Sequence, residues 1–567
     1  MNKFTPLSEE ILSSISVMEL KLLHLDPSVG AGNFAEKALA VSLNPDQPCL
    51  LQTEAESLAK GVQVEQLSLA ELVDLSHRWA SWYWKKGIRA HDVVAVYAND
   101  GLTQIVHFCA LTLIGAVAAV TNGAMPGDVA SAHFRHLRVR GIVTSAKQKA
   151  ALDPALRNEV GFCIEIAKTA IPRKPEEFTR HRHDATDPVM ITHSSGTTGR
   201  PKPVTLAHGQ WFHGIRDNLA RQGERTGERR LLSLPASHNS SIAFIIHAVL
   251  DGSQVLVAHT QSGDFAAEAI ERFQPSTVAA FPITYVTLAL RYAGSADFSS
   301  VRYWVNSGDA AHEKHIRRLV AHGTTPHDGG LVVGSTFVDG LGSSEMGHIS
   351  FPVQHTKESS IYGRCIGRPH HWVDAQVFLE DGHRAKTNEV GRLGIKSPSI
   401  TPGYWNDSDL TARSRIDGYF LTGDLVYRDE GGRFFHVDRT SDVIRTGEGP
   451  CYSLLSEELL MKLDEIVDDC ILSSIDGKDG MSLPVAVVWS ERAATMLADP
   501  LLETFNETLK DQNMPQLYAV AVVESAAIPR GITGKVLKRT LKENIAEAIK
   551  DQASASWLLD FEKIDND

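Results

Sequence analysis

Ile191-Thr192-His193-Ser194-Ser195-Gly196-Thr197-Thr198-Gly199-Arg200-Pro201-Lys202 is the stretch on which the reading of this chain turns. Hydroxyls and glycines alternate along it, and a cation closes it. The apolar run from Pro188 to Ile191 leads in and predicts the end of a buried strand. Glycine lets backbone N–H groups approach an anion, Ser and Thr add short donors, and Lys adds charge. The composition is that of a polyphosphate cradle. A Walker A loop is excluded, because it requires G-x-x-x-x-G-K-[ST]. Here Gly196 and Gly199 stand three apart, and Lys202 follows three later. Taken alone, a Ser/Gly/Thr cluster is also ordinary loop punctuation. The rest of the chain decides between the two.

At 567 residues the chain is too long for one core and predicts at least two domains. Its 43% hydrophobic and 22% charged content suits a soluble globular enzyme. A net charge of −13 with no basic stripe argues against nucleic acid as a partner. The short basic cluster Arg180-His181-Arg182-His183, beside Asp184, reads as a solvated loop. Cys49, Cys109, Cys163, Cys365, Cys451 and Cys470 show no CxxC spacing, which points to a reducing compartment and away from a structural zinc. Met1 to Pro6 lacks a signal-peptide core. The most apolar stretch, Ile105 to Val120, carries His107 and Gly115 and is short for a membrane span. A cytoplasmic protein is expected.

Residues 1 to about 85 hold helical patterns and no motif. From Asp92 strands and helices alternate: Val93–Tyr97, Ala116–Val120 and Gly141–Thr144 as strands, Leu102–Ile114 and Ala130–Val139 as helices. Later β-rich runs are Leu231–Leu234, Gln254–Ala258, Thr277–Phe281 and Tyr303–Val305, with helices Ser241–Leu250 and Ala266–Phe273 between them. Such alternation predicts an α/β fold with parallel-rich sheets covered on both faces. Ligands then bind at the carboxyl ends of the strands. A Gly-rich turn at Asp429–Gly432 followed by Arg433–Val437 reads as a hairpin into a new domain. Beyond Arg439, the strands Val485–Trp489 and Ala519–Val523 and the helix Arg492–Leu509 predict a small α+β domain. The expected division is 1–438 and 439–567.

Further segments follow in a fixed order. They are Val305-Asn306-Ser307-Gly308-Asp309-Ala310-Ala311, Gly340-Leu341-Gly342-Ser343-Ser344-Glu345, Gly391–Ile395, Pro402–Asn406, Tyr419-Phe420-Leu421-Thr422-Gly423-Asp424, Asp438-Arg439-Thr440-Ser441-Asp442 and Ile528–Arg539. With the opening stretch, this series resembles the class I adenylate-forming superfamily of acyl-CoA synthetases, peptide-synthetase adenylation domains and luciferases, over roughly residues 90 to 540. The chain departs from the family pattern at Pro203, Asp309, Ala311, Leu341, Asp438 and Ser441, and Thr446–Pro450 fits the thiol-side segment only loosely.

The resemblance implies a large domain and a small mobile C-terminal lid. It implies ATP, Mg²⁺ and coenzyme A as cofactors, with a nucleotide site at Thr192, Ser194, Ser195, Gly196, Thr197, Thr198, Gly199, Lys202, Gly308, Asp309, Ala310, Gly342, Ser344, Asp424 and Arg439. Glu345 and Thr198 would hold Mg²⁺, and Lys535, Glu345, Thr198 and His238 would be catalytic. The expected reaction is attack of a carboxylate on the α-phosphate of ATP, release of pyrophosphate, and transfer of the acyl group to a thiol of coenzyme A or an acyl-carrier protein. The nucleophile is already ionised at neutral pH, so the barrier is the meeting of two anions. The acid pocket is expected from Trp211, Phe212, Ser237 to Ser241, Ala280 to Pro282 and Gly308. Asn239, where amino-acid activators carry Asp, favours an aliphatic or aryl acid. Transfer to an amine or other acceptor, and a non-catalytic nucleotide-binding protein, are the competing readings. A serine hydrolase is disfavoured, as no G-x-S-x-G occurs.

Overall fold

The structure is a computed structural model. It describes residues 14–98, 101–194, 201–221, 227–327, 330–463, 469–477, 480–489, 498–524, 527–531, 534–551 and 557–561. The architecture is mixed α/β, with a large N-terminal assembly of three main sheets and the two-stranded ribbon Thr324–His327/Gly330–Val333, and a smaller α+β layer at the C-terminal end.

The first sheet runs in the order Phe162–Glu165, Gly141–Thr144, Val93–Ala98, Val117–Asn122, Pro188–Ser194, Lys202–Ala207. All its pairs are parallel except the last. Val93–Ala98 is apolar at every position and buried at every position, as expected of a strand covered on both faces. The second sheet runs Ile349–His355, Thr336–Gly342, Tyr303–Asn306, Thr277–Ala280, Arg229–Ser233, Gln254–Val257, Pro48–Ala59, Val62–Ser68. The helix Leu102–Leu113, buried at every residue, and the helix Asn239–Leu250 lie in one continuous core with side chains of both sheets. Trp79, Tyr83 and Phe108 fill its centre.

Two expectations need correction. The N-terminal region is not purely helical: Pro48–Ala59 and Val62–Ser68 form an antiparallel hairpin on the edge of the second sheet. Local composition gave no strand signal there, because Gln52, Thr53, Glu54 and Glu56 break the apolar alternation. Pairing with the neighbouring strand decides the conformation instead. Glu56 also has a distant task. Its carboxylate accepts from the backbone N–H of Leu102 (2.7 Å) and Thr103 (3.3 Å), capping a helix whose own Gly101 has no side chain to do so. The second correction concerns the hairpin Tyr419–Arg428/Phe434–Arg439. It completes a third, antiparallel sheet with Cys365–Gly367, Gly391–Lys396 and Asp374–Phe378, rather than opening a new unit.

A two-stranded ribbon, Ile444–Thr446/Gly449–Cys451, comes next, and then a sheet that begins at Asp469–Asp476 and continues with Ser482–Trp489, Ala519–Val523 and Trp557–Phe561. The helices Ala498–Asp511 and Lys538–Asp551 accompany it. Of the expected helix Arg492–Leu509, the part before Ala498 lies outside the described residues. Among the described residues, no helix is long and apolar enough to cross a membrane.

Candidate active site

The carboxyl ends of the parallel strands and the C-terminal layer face one cavity of about 1840 Å³. Pro188–Ser194 delivers Thr192 to its wall, and Lys202 begins the antiparallel partner strand opposite Ser194. The expected cradle residues Ser195, Gly196, Thr197, Thr198 and Gly199 lie outside the described residues. His193 also lines the cavity, and burial pushes its imidazole down to about 4.

Tyr303–Asn306 ends in the turn Ser307-Gly308-Asp309-Ala310, all on the cavity wall. Gly308 has φ +84°, and a Cβ there would stand 2.6 Å from the Phe281 ring. Only glycine fits this turn. Asn306 fastens it, donating to the Asp309 carbonyl (2.7 Å) and to Asp339 Oδ1 (2.9 Å). Burial pushes the Asp339 carboxyl up, against hydrogen bonds from Asn306 and the Gly340 and Ala311 amides. Thr336–Gly342 supplies Gly342, and the turn after it supplies Ser344 and Glu345. Glu345 is 8% exposed, and its Oε1 accepts from the Tyr404 hydroxyl at 3.1 Å. Leu341 joins the apolar cluster of Met346, Phe351 and Val426.

Behind the lining residue Arg439, Asp424 is buried, with Arg439 Nε 2.8 Å from its Oδ1 and His436 Nε2 at 3.3 Å. Burial would raise this carboxyl, but the Arg439 charge and then His436 outweigh it and hold the group well below the carboxylate range. Both Asp424 oxygens are buried without a well-aligned donor. Such a carboxylate is built to accept from a ligand.

Lys535 enters from the C-terminal layer. The turn that carries it is seated on the large assembly, since a Cβ on Gly534 (φ +73°) would stand 2.8 Å from Ile283 Cγ2. Lys535, then Arg364 and Arg439, hold the Asp309 carboxyl below its usual value against the desolvation of the cleft. The same lysine, after burial and His193, contributes to pushing His238 down to about 4. His238 caps the helix Asn239–Leu250, accepting from Ser240 N at 3.3 Å, and meets Phe281 edge-on at 5.4 Å.

Behind His238 a groove runs away from the strand ends. One side is the helical face Ser240, Ala243, Phe244, His247, at the i, i+3, i+4, i+7 spacing of one stripe. The other is Thr277 and Ala279 on one strand against Tyr303 and Val305 on the next, paired in register. Over seven helical residues the groove is about 10 Å long. Its floor is polar. Arg230 is 5% exposed, donates to His247 Nδ1 at 2.7 Å and pairs with Asp251, while its Nε is buried without a hydrogen-bond partner. Trp211 and Phe212, expected in the acid pocket, are fully buried in the core instead. An apolar pair in a helical pattern carries no sign of which face it takes.

The structure thus gathers Thr192, Lys202, His238, Gly308, Asp309, Ala310, Gly342, Ser344, Glu345, Arg439 and Lys535 on one cavity wall, with Asp424 beside Arg439. Sequence reasoning missed Asp339, Arg364, His436 and the groove floor, each a lone polar residue in an unremarkable local context, and took Tyr404 as part of a structural segment without seeing its bond to Glu345. Arg230, immediately before the apolar run Leu231–Leu234, was the available signal.

Residues 39–405 match the family described as AMP-binding enzyme. The chain belongs to the AMP-binding enzyme family. It is 36% identical over 558 residues to a 3-aminoavenalumate diazotase of a Streptomyces species, covering 94% of this chain and 99% of that one. It shares its fold with an anthranilate CoA ligase, AuaEII, in complex with anthranoyl-AMP. There the TM-score is 0.78 and the identity 18%, covering 92% of this chain and 99% of that one. It shares it also with the O-succinylbenzoate coenzyme A synthetase of Bacillus subtilis in complex with ATP and magnesium, with a TM-score of 0.73 and 20% identity over 90% and 99% of the two chains. This AMP-binding enzyme is an ATP-dependent, AMP-forming ligase.

Proposed function

We propose that the cleft adenylates a planar oxyanion, in the first reading a carboxylate, and that Lys535 brings the two anions together. The observation that carries this is the placement of Lys535 among Asp309, His238 and the nucleotide-side turns. The substrate oxygen forms a bond to the α-phosphorus and the bond to pyrophosphate breaks, with no proton to remove. Lys535 lowers the repulsion in the approach. Asp424 would accept from the ribose hydroxyls, which fits a buried carboxylate that is held ionised by Arg439 and has no well-aligned hydrogen-bond donor. The Gly308 turn would lie along the adenine side, and the hydroxyls from Thr192 to Thr198 would hold the phosphates. Glu345, a buried carboxylate of hard oxygens, fits Mg²⁺. When bound, that ion supplies charge neutralisation on the pyrophosphate. Residues 439–567 would move as a lid about Ser441, and a thiol of coenzyme A or a carrier protein would then take the acyl group.

A second reading is favoured by the relative that matches almost end to end, a diazotase acting on an amino-bearing substrate. Nitrite has the charge, planarity and two terminal oxygens of a carboxylate. Its oxygen would displace pyrophosphate to give O=N–O–AMP. An aromatic amine nitrogen would then bond to that nitrogen as AMP leaves and one amine proton is released; the nitrosamine, protonated on oxygen, then loses water to give the diazonium. The loose match of Thr446–Pro450 to a thiol-side segment supports an amine as acceptor. In both readings the groove would receive an elongated aryl body, whose far oxygen meets Arg230 Nε.

The test is pyrophosphate release with aryl acids, and with nitrite plus aryl amines, followed by mass spectrometry and azo coupling of the products. Acyl-AMP and thioester support the first reading. Nitrite-dependent release with a coupling-competent diazonium supports the second. Release with neither removes both.

A further inference from the structure

Away from the cleft, four side chains converge that adenylation does not use. His181, His183 and Asp187 lie on the loop before Pro188–Ser194, and His91 lies just before Val93–Ala98. His181 Nε2 is 2.7 Å from Asp187 Oδ2, and His91 Nε2 is 3.7 Å from Oδ1. One donor atom each from His91, His181 and Asp187 fall within 4.8 Å of one another. His183, its side chain 3% exposed, places Nδ1 3.9 Å from Asp187 Oδ2. Its Nε2 lies 2.9 Å from the Thr112 carbonyl oxygen and donates to it, so Nδ1 is left as a lone pair. That Nδ1 is buried and has no hydrogen-bond partner. A backbone carbonyl on one ring nitrogen with a free lone pair on the other is the arrangement that orients metal-ligating histidines.

The frame is fixed without a ligand. His181 N donates to Leu113 O (2.9 Å) and His91 N to Gly115 O (2.8 Å). The His181 ring lies against Gly115, where a Cβ would stand 2.5 Å from Cγ and where φ is +75°. His183 stacks on His208 at 4.6 Å.

We propose that His91, His181, His183 and Asp187 form a site for a divalent transition cation, zinc foremost. Three imidazoles and one carboxylate are a borderline donor set suited to zinc, whereas Mg²⁺ and Ca²⁺ want oxygen. Tetrahedral bonds of about 2.0 Å require donors about 3.3 Å apart, and the three histidine-to-carboxylate separations of 2.7, 3.7 and 3.9 Å, each to one or the other Asp187 oxygen, bracket that value. The missing CxxC spacing speaks only against thiolate ligands. His91 and Asp187 precede their strands, at the edge opposite the carboxyl ends that face the cleft. The ion would tie the loop to the end of Leu102–Leu113, a structural role apart from catalysis.

The experiment uses the full chain without an affinity tag, stripped with chelator, then titrated with Zn²⁺ and separately with Co²⁺. One equivalent of tightly held metal, a tetrahedral Co²⁺ absorption band and a raised melting temperature are expected. His91→Ala removes an exposed ligand with little risk to folding. It should weaken Zn²⁺ affinity roughly tenfold or more and leave pyrophosphate release unchanged. No stoichiometric metal on the wild-type chain, or Zn²⁺ affinity unchanged from wild type in both His91→Ala and His181→Ala, reduces the cluster to an ion pair and overturns the site.

Discussion

Lys535 is the residue on which the proposed chemistry turns, and its neighbours are as informative as its position. It faces a carboxylate, Asp309, and an imidazole kept neutral by burial, His238. The ammonium is therefore drawn toward the cleft without a competing cation in its path from that histidine. Replacing it with Ala should lower ATP–pyrophosphate exchange on the order of 10²–10³-fold, with an unchanged melting temperature. Exchange at the wild-type rate would refute the assignment. Asp424→Asn removes a charge-assisted acceptor, a change of about 1.5–3 kcal/mol. Titration with ATP should show a KM raised by roughly tenfold or more, since 1.4 kcal/mol is about tenfold. Arg230→Met keeps the bulk at the groove floor and removes the donors. It should raise KM for substrates carrying a distal oxygen while sparing their truncated analogues, and an equal effect on both would deny Arg230 a part in selection.

At the scale of elements, the helix Glu313–Val320 and the helix Ser453–Leu460 meet through His312 and Glu458, 2.8 Å apart, with Glu313 N adding a bond to the same carboxylate. Burial disfavours the imidazolium, yet the Glu458 bond wins and raises His312 above 6.5; Glu458 itself is held below 4.5. The signs set a window. The histidine's contribution is full below 6.5 and fades as pH rises through its raised value. The carboxylate's is full above 4.5 and fades as pH falls through its lowered value. Hydrogen exchange along Ser453–Leu460 should be slowest inside that window and quicken on the alkaline side. His312→Gln should abolish the alkaline change.

The same scale explains what was legible. The strand–helix alternation from Asp92 onward could be read because those strands are buried on both faces and their apolar runs are continuous. The hairpin Pro48–Ala59/Val62–Ser68 could not, since a partner strand far along the chain, Gln254–Val257, holds its first strand in place. In the cleft, segments with glycine, hydroxyl and charge close together in sequence announced themselves. Asp339, Arg364 and His436 did not, because their significance comes from the residues they face across the cavity.

Taken as a whole, the molecule is three sheets of one assembly with a fourth set over the mouth of their shared cavity, and several ties hold that fourth sheet. Besides His312–Glu458, Lys462 reaches Glu313 at 3.7 Å. Within the C-terminal part itself, Lys538 bonds both Ser453 (2.6 Å) and Glu457 (2.8 Å), and Arg530 bonds Asp469 (2.9 Å). Ser441 is exposed to the cavity side between the two parts. Ser441→Pro stiffens this point and should slow acyl or nitrosyl transfer more than pyrophosphate release, measured in separate single-turnover assays. Equal slowing of both would argue against a pivot there.

Asp438 stands three residues before that point, and its carboxylate accepts from Ser453 Oγ at 3.1 Å and from the Ser453 amide on the far side of it. Any swing must first let go of this clasp, with Lys538 behind it. For a C-terminal part that swings as proposed, this contact would act as a detent, favouring the posture that makes the adenylate before it is passed to the next reactant. Filing the detent away with Asp438→Gly should shorten that dwell, so that the adenylate is passed on sooner, or leaks to water when no acceptor is waiting.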